Sequence, residues 1–68
     1  SPSGAHVLGL AAALRVFGGR ALAVLRIALT LGFTGVGLSQ RGEASGRFIH
    51  LDIADAGEGR PRPHLWSY

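Results

Sequence analysis

Three patterns of apolar and polar positions organise the chain. Over residues 20–31, Leu22, Leu25 and Leu29 fall at helical spacing with Ala21 and Ala28 beside them, and Val24, Ile27 and Leu31 widen the apolar face. Only Ala23, Arg26 and Thr30 form a polar stripe, so the pattern predicts a helix that is mostly buried. Gly32 closes it, as glycine commonly does just past a helix end. Residues 33–39 alternate with small side chains and read as a short strand. Residues 47–53 alternate more strictly: Phe48, His50 and Asp52 point one way, and Ile49, Leu51 and Ile53 the other. The turn-rich stretch 40–46 between them makes the pair a predicted β-hairpin.

The ends are less regular. Residues 1–5 have loop composition. Residues 7–17 are apolar and alanine-rich, compatible with helix or strand, and run into the break Gly18-Gly19. Residues 55–68 read as an irregular polar tail whose aromatic end, Leu65 to Tyr68, packs back onto the body. No internal repeat is visible. The expected fold is α+β, with one buried helix packed on a small antiparallel sheet, in a single domain over residues 1–68.

Composition sharpens this picture in two ways. With 68 residues and no cysteine, the chain is short of core and has no disulfide, which raises the prior for a metal or a partner. The formal charge is +3, and all seven basic residues are arginine. The acids are Glu43, Asp52, Asp55 and Glu58, so residues 1–42 carry only positive charge. The arginines are scattered singly, which argues against nucleic acid as a partner; an anionic cell-wall polymer or membrane fits the same charge equally well. Arg26 and several glycines interrupt the apolar stretch 21–38, which argues against a membrane span. Residues 18–31 could instead lie on an anionic membrane surface, but that reading leaves the hairpin and the tail unexplained. The start has no initiator Met and no basic leader region, so the chain reads as a piece of a longer protein.

Two histidines carry the candidate chemistry. His6 opens the segment H-V-L-G-L-A-A-A, with Gly9, Ala11 and Ala13 following; His50 sits in F-I-H-L-D, two residues before Asp52. Either alone reads as an ordinary structural histidine. Together, with a helix between them and Trp66-Ser67-Tyr68 at the end, they resemble the zinc peptidases that cleave D-alanyl-D-alanine or L-alanyl-D-glutamate bonds. The hedgehog signalling domain shares that core. His6, Gly9 and Ala11 match the family's HxxGxAxD motif in register, and FIHLD is similar to the phage and bacterial branch, endolysins included. The resemblance covers the C-terminal half of such a domain.

The resemblance implies a catalytic zinc held by His6, the residue at position 13 and His50, with a water in the fourth place. The metal would activate that water, and a nearby carboxylate would act as base. Position 13 holds Ala13 where the family has aspartate, so zinc binding is expected to be weak or absent and hydrolysis impaired. Arg47 stands three residues before His50, where some relatives carry the base. Asp52, or less favourably Glu43, is then the candidate, and the plainer alternative is that Asp52 only hydrogen-bonds His50 or a backbone amide. The family's first half, with its carboxylate-binding arginine, is missing and could come from another chain. The implied partner is the peptidoglycan stem peptide, met in the periplasm, outside the cell or through phage delivery. The alternatives are a non-catalytic peptidoglycan- or partner-binding module and a cationic membrane-active peptide. His64 and the segment Arg60-Pro61-Arg62-Pro63 are expected to belong to an exposed, stiff tail.

Overall fold

The computed structural model describes residues 11–68. Among them are four strands, β1 (Ala11–Leu14), β2 (Gly35–Ser39), β3 (Phe48–Asp52) and β4 (His64–Ser67), one helix, α1 (Gly18–Leu31), and a single 3-10 turn at Ala44–Gly46. The alanine-rich segment resolves into strand over Ala11–Leu14. Gly18-Gly19 does not merely break the chain: α1 begins there, after Phe17 in extended conformation and Gly18 at φ +59°. Gly32, at φ +87°, ends the helix. The Phe33 N–H donates to the Ala28 carbonyl at 3.0 Å and Gly32 N–H to Leu29 at 3.2 Å, the paired closure that a left-handed residue permits.

The predicted hairpin is present. β2 and β3 pair antiparallel from Gly35 opposite Asp52 to Ser39 opposite Phe48. Around their connection, Gln40 Nε2 donates to the carbonyls of Val16 (2.9 Å) and Phe48 (3.1 Å). Arg47 donates twice to the Gly42 carbonyl, so its guanidinium turns back into the loop. β1 joins the other edge of β3, antiparallel, and the strand order is β1-β3-β2-β4.

The α+β architecture is as expected, but two features of it differ. The sheet is mixed, because β4 runs parallel to β2. Residues 55–68 are therefore not an irregular tail throughout: the chain leaves β3, crosses, and returns beside β2 with the Leu65-Trp66 pair at the centre of a strand. Only four residues long and preceded by proline, this strand has too little alternation to be read from sequence. Secondly, α1 is not buried all round. It meets the sheet through Ala21 and Ala28, the two buried residues of the helix, with Val24 and Leu25 partly covered. Small residues let the helix axis approach the sheet closely, and a four-stranded sheet is too narrow to cover more. Leu22, Ile27, Leu29 and Leu31 stay largely exposed.

The core lies between α1 and one sheet face and consists of Ala21, Ala28, Val36, Ile49 and Leu51, flanked by Val16, Phe33 and Leu38. Ile49, at 1% exposure, is its most enclosed large apolar side chain. Ile49→Ala is expected to cost about 2–5 kcal/mol, read as a lowered urea midpoint; a midpoint unchanged within error would show that this face is not closely packed.

Candidate functional site

The opposite face of the sheet carries the polar chemistry. Residues directly opposite one another on neighbouring strands share a face, so the register sets side chains in rows. One row reads Ala13, His50, Gly37, Trp66 across β1, β3, β2 and β4; the next reads Ala11, Asp52, Gly35, His64. The glycines of β2 leave a trough between the side chains of β3 and β4. A Cβ on Gly37 would meet the Trp66 indole at 2.5–2.8 Å, and one on Gly35 would collide with both Asp52 carboxylate oxygens and Arg62 Nε. Trp66 and the Asp52–Arg62 pair thus occupy the space that two side chains would otherwise take.

Asp52 is the hub. It is 1% exposed and accepts from Arg62 through both oxygens, Nε to Oδ1 at 2.9 Å and Nη2 to Oδ2 at 2.7 Å. The Ala54 N–H donates to Oδ1 at 3.2 Å, and His50 Nε2 lies 2.7 Å from Oδ2. The Arg62 guanidinium, helped by His50 and the Ala54 amide, holds the Asp52 carboxyl well below the usual carboxylate range although burial pushes the other way. Bonding to Asp52 in turn raises the Arg62 pKa. An ionised carboxylate can only accept, so Nε2 of His50 is the donor in this pair. The loop that presents Ala54 is fixed by Thr34, whose hydroxyl donates to the Ala54 carbonyl at 2.7 Å and whose N–H donates to the Asp52 carbonyl at 2.9 Å.

Aromatic rings close the cluster. The Arg62 guanidinium carbon sits 5.0 Å from the Trp66 ring centre, within cation–π range. The His50 ring is 5.2 Å from Trp66, and His64 stacks on it at 5.8 Å and 20°. Tyr68 adds a tilted contact with Phe48 at 5.1 Å and an edge contact with Trp66. The aromatic end does pack back onto the body, as expected, and it does so as part of the sheet.

The expected site residues fare differently. Ala13 stands directly across from His50, and Asp52 is hydrogen-bonded to it. Glu43 is exposed and precedes the 3-10 turn, at the end of β3 remote from Asp52. His6 lies outside the described residues. The sequence reading missed Arg62, Trp66, Gly35 and Gly37. A clue existed for Arg62: a carboxylate on a strand of a small sheet requires a cation if buried. Arg60 and Arg62 met that requirement equally until the fold chose between them, and Arg60 instead donates to the Asp55 carbonyl.

Among the described residues no group of three histidine, cysteine, aspartate or glutamate side chains is placed to hold a metal. Ala13 offers no donor atom, and both oxygens of Asp52 are already engaged by a guanidinium. The described residues therefore do not fit a catalytic zinc. They do contain one element of such sites, a histidine ring held from behind by a carboxylate. No family model, no curated protein and no solved structure matches the chain.

Proposed function

We propose that this chain is a cell-wall peptidase-type domain, of the zinc D-alanyl-D-alanine or L-alanyl-D-glutamate class, whose metal site is disabled, and that it engages peptidoglycan stem peptides with little or no turnover. The observation that carries the reading is the register of β1 against β3. Position 13, where the resemblance expects a carboxylate ligand, is the cross-strand partner of His50, where it expects a histidine ligand. Directly opposed residues of an antiparallel pair have Cβ atoms roughly 4.5–5.5 Å apart, a separation at which two side chains can reach one ion. That pairing involves residues 37 positions apart in sequence and nothing in the local patterns requires it.

Asp52 takes the orienting role in this reading. A buried carboxylate tied to an arginine and held far below its ordinary pKa is a poor proton acceptor, but it fixes the His50 ring well. The exposed Leu22, Ile27, Leu29 and Leu31 of α1 are what a domain completed by a further segment or another chain would leave uncovered. A second reading, a peptidoglycan-binding module with no catalytic history, is favoured by Ala13 itself.

Ala13→Asp separates the two. Ala13 is exposed, so the new carboxylate needs no repacking. Bound zinc, measured by atomic absorption after dialysis, is expected to rise from a trace toward one ion per chain. No rise would remove the peptidase-type reading, and retention of the unaltered chain on purified peptidoglycan would then leave the binding module standing.

A further inference from the structure

We propose that a second copy of this chain docks along β4: the two β4 strands pair antiparallel about a two-fold axis at Trp66 and join the sheets of both copies into one. The inference is independent of the peptidase-type reading.

β4 is the last strand of the sheet, and among the described residues nothing pairs with its outer side. The ladder to β2 uses every other residue of it. The N–H groups of His64 and Tyr68 donate to the carbonyls of Thr34 and Leu38, at 2.8 and 3.0 Å. Backbone groups of successive residues in a strand turn to opposite sides, so those of Leu65 and Ser67 turn outward. An unpaired edge is a template for another strand, and folds that keep one single place charges, proline or bulges on it. β4 reads His-Leu-Trp-Ser, without arginine, acid or proline, and its register to β2 is uninterrupted. Its guard is its shortness.

The helix-side surface beside this edge is open as well. α1 packs chiefly on β3, and between α1 and β4 runs a groove lined by Leu25, Leu29, Phe33, Val36, Pro63 and Leu65, with no arginine or carboxylate in it. Leu29 and Leu65 are 60% and 62% exposed. An uncharged edge beside an uncharged groove calls for an occupant that is itself uncharged and strand-forming, and on this arginine-rich chain β4 is such a segment. The core supplies the need: Val36, Ile49 and Leu51 are the only large apolar side chains buried among the described residues, and short chains commonly offset a small core by association.

The two-fold fixes the register. An axis through Trp66 sets Leu65 opposite Ser67 of the second copy. These are the residues with outward groups, so each such pair exchanges both of its N–H···O bonds. Moving the axis to Leu65 would instead set Ser67 opposite Pro63, which has no N–H to give. Directly opposed residues share a face, so the two Trp66 lie side by side and both Asp52–Arg62 clusters look out from the same side of the joined sheet.

The test is sedimentation velocity over micromolar to millimolar concentrations, on the wild type, Leu65→Lys, Ser67→Pro and Leu31→Lys. The wild type is expected to move from 7.1 kDa to twice that mass. Leu65→Lys puts a charge in the groove, and Ser67→Pro removes an outward N–H while sparing the ladder to β2; both are expected to stay monomeric with unchanged far-UV circular dichroism. Leu31, also exposed, does not line this groove, and Leu31→Lys should dimerise as the wild type does. A wild type monomeric throughout overturns the inference, even if it captures an extended apolar peptide, and so does a folded Ser67→Pro that still dimerises. Should both β4 variants unfold, wild-type amide exchange decides: slowing of the Leu65 and Ser67 amides as concentration rises supports the pairing, and rates independent of concentration overturn it.

Discussion

Asp52→Ala is expected to remove a large fraction of the domain's stability, read as a steeply lowered urea midpoint. The substitution strips the partner from Arg62, a guanidinium that the fold keeps mostly out of water, and removes the acceptor for His50 and for the Ala54 amide. Breaking a buried pair by deleting one member costs about 3–5 kcal/mol, because the remaining charge keeps its desolvation penalty without compensation. At ~0.05–0.15 kcal/mol per residue, a chain of 68 residues has a total of only ~3–10 kcal/mol. The loss is therefore a large fraction of the whole. Asp52→Asn keeps the shape and an acceptor but not the charge, and should fall between wild type and alanine.

The same pair predicts how the domain responds to acid. Asp52 has a lower pKa folded than unfolded, so the unfolded chain binds the proton first. The stabilisation from Asp52 is complete above the ordinary carboxylate value of 3.8. It declines as pH falls below that and is gone once pH passes under the depressed folded value. Urea midpoints recorded from neutral pH into acid should fall for the wild type, with a shallower fall for Asp52→Asn. Parallel curves for the two proteins would show that Asp52 is not the carboxylate responsible.

What the sequence made legible was whatever repeats with a local period. The 3.6-residue spacing of Leu22, Leu25 and Leu29 located α1, and the alternation of Phe48, His50 and Asp52 against Ile49 and Leu51 located β3 and assigned its faces correctly. The helix's inner face was less legible, because Ala21 and Ala28 carry little hydrophobic signal beside the leucines, yet their small size is what admits them to the interface. β4 was not legible at all, since its partner is β2, some thirty residues earlier, and its orientation depends on the crossover that follows β3. The site followed the same division. His50 with Asp52 could be seen as neighbours on one strand face, whereas Trp66 enters only through β4 and Arg62 through the connection that precedes it, and Ala13 meets His50 only through the β1–β3 register.

Gly35 is the position where the missed part of the site is most exposed to a test. In an open strand, Gly→Ala relieves the conformational cost of glycine and stabilises by roughly 0.5–1 kcal/mol. Gly35 is not among the glycines with left-handed backbone, so nothing in its own conformation forbids alanine. The sign of the effect therefore rests on its surroundings. A methyl there would strike the Asp52 carboxylate and Arg62 Nε together. Neither group can withdraw without breaking the bonds that each makes to the other, and Asp52 is also held by the Ala54 amide. Gly35→Ala is accordingly expected to destabilise by about 3 kcal/mol or more, approaching the cost of losing the pair outright. Overpacking alone would cost about 1–3 kcal/mol. The double variant with Asp52→Ala distinguishes this cause from a general intolerance of β2. Once the carboxylate is gone the added methyl no longer strikes it, and adding Gly35→Ala should cost clearly less than it does in the wild type. If the glycine substitution costs as much with Asp52 absent as with it present, the trough in β2 is not there to seat the Asp52–Arg62 pair, and the account of the site built on it fails.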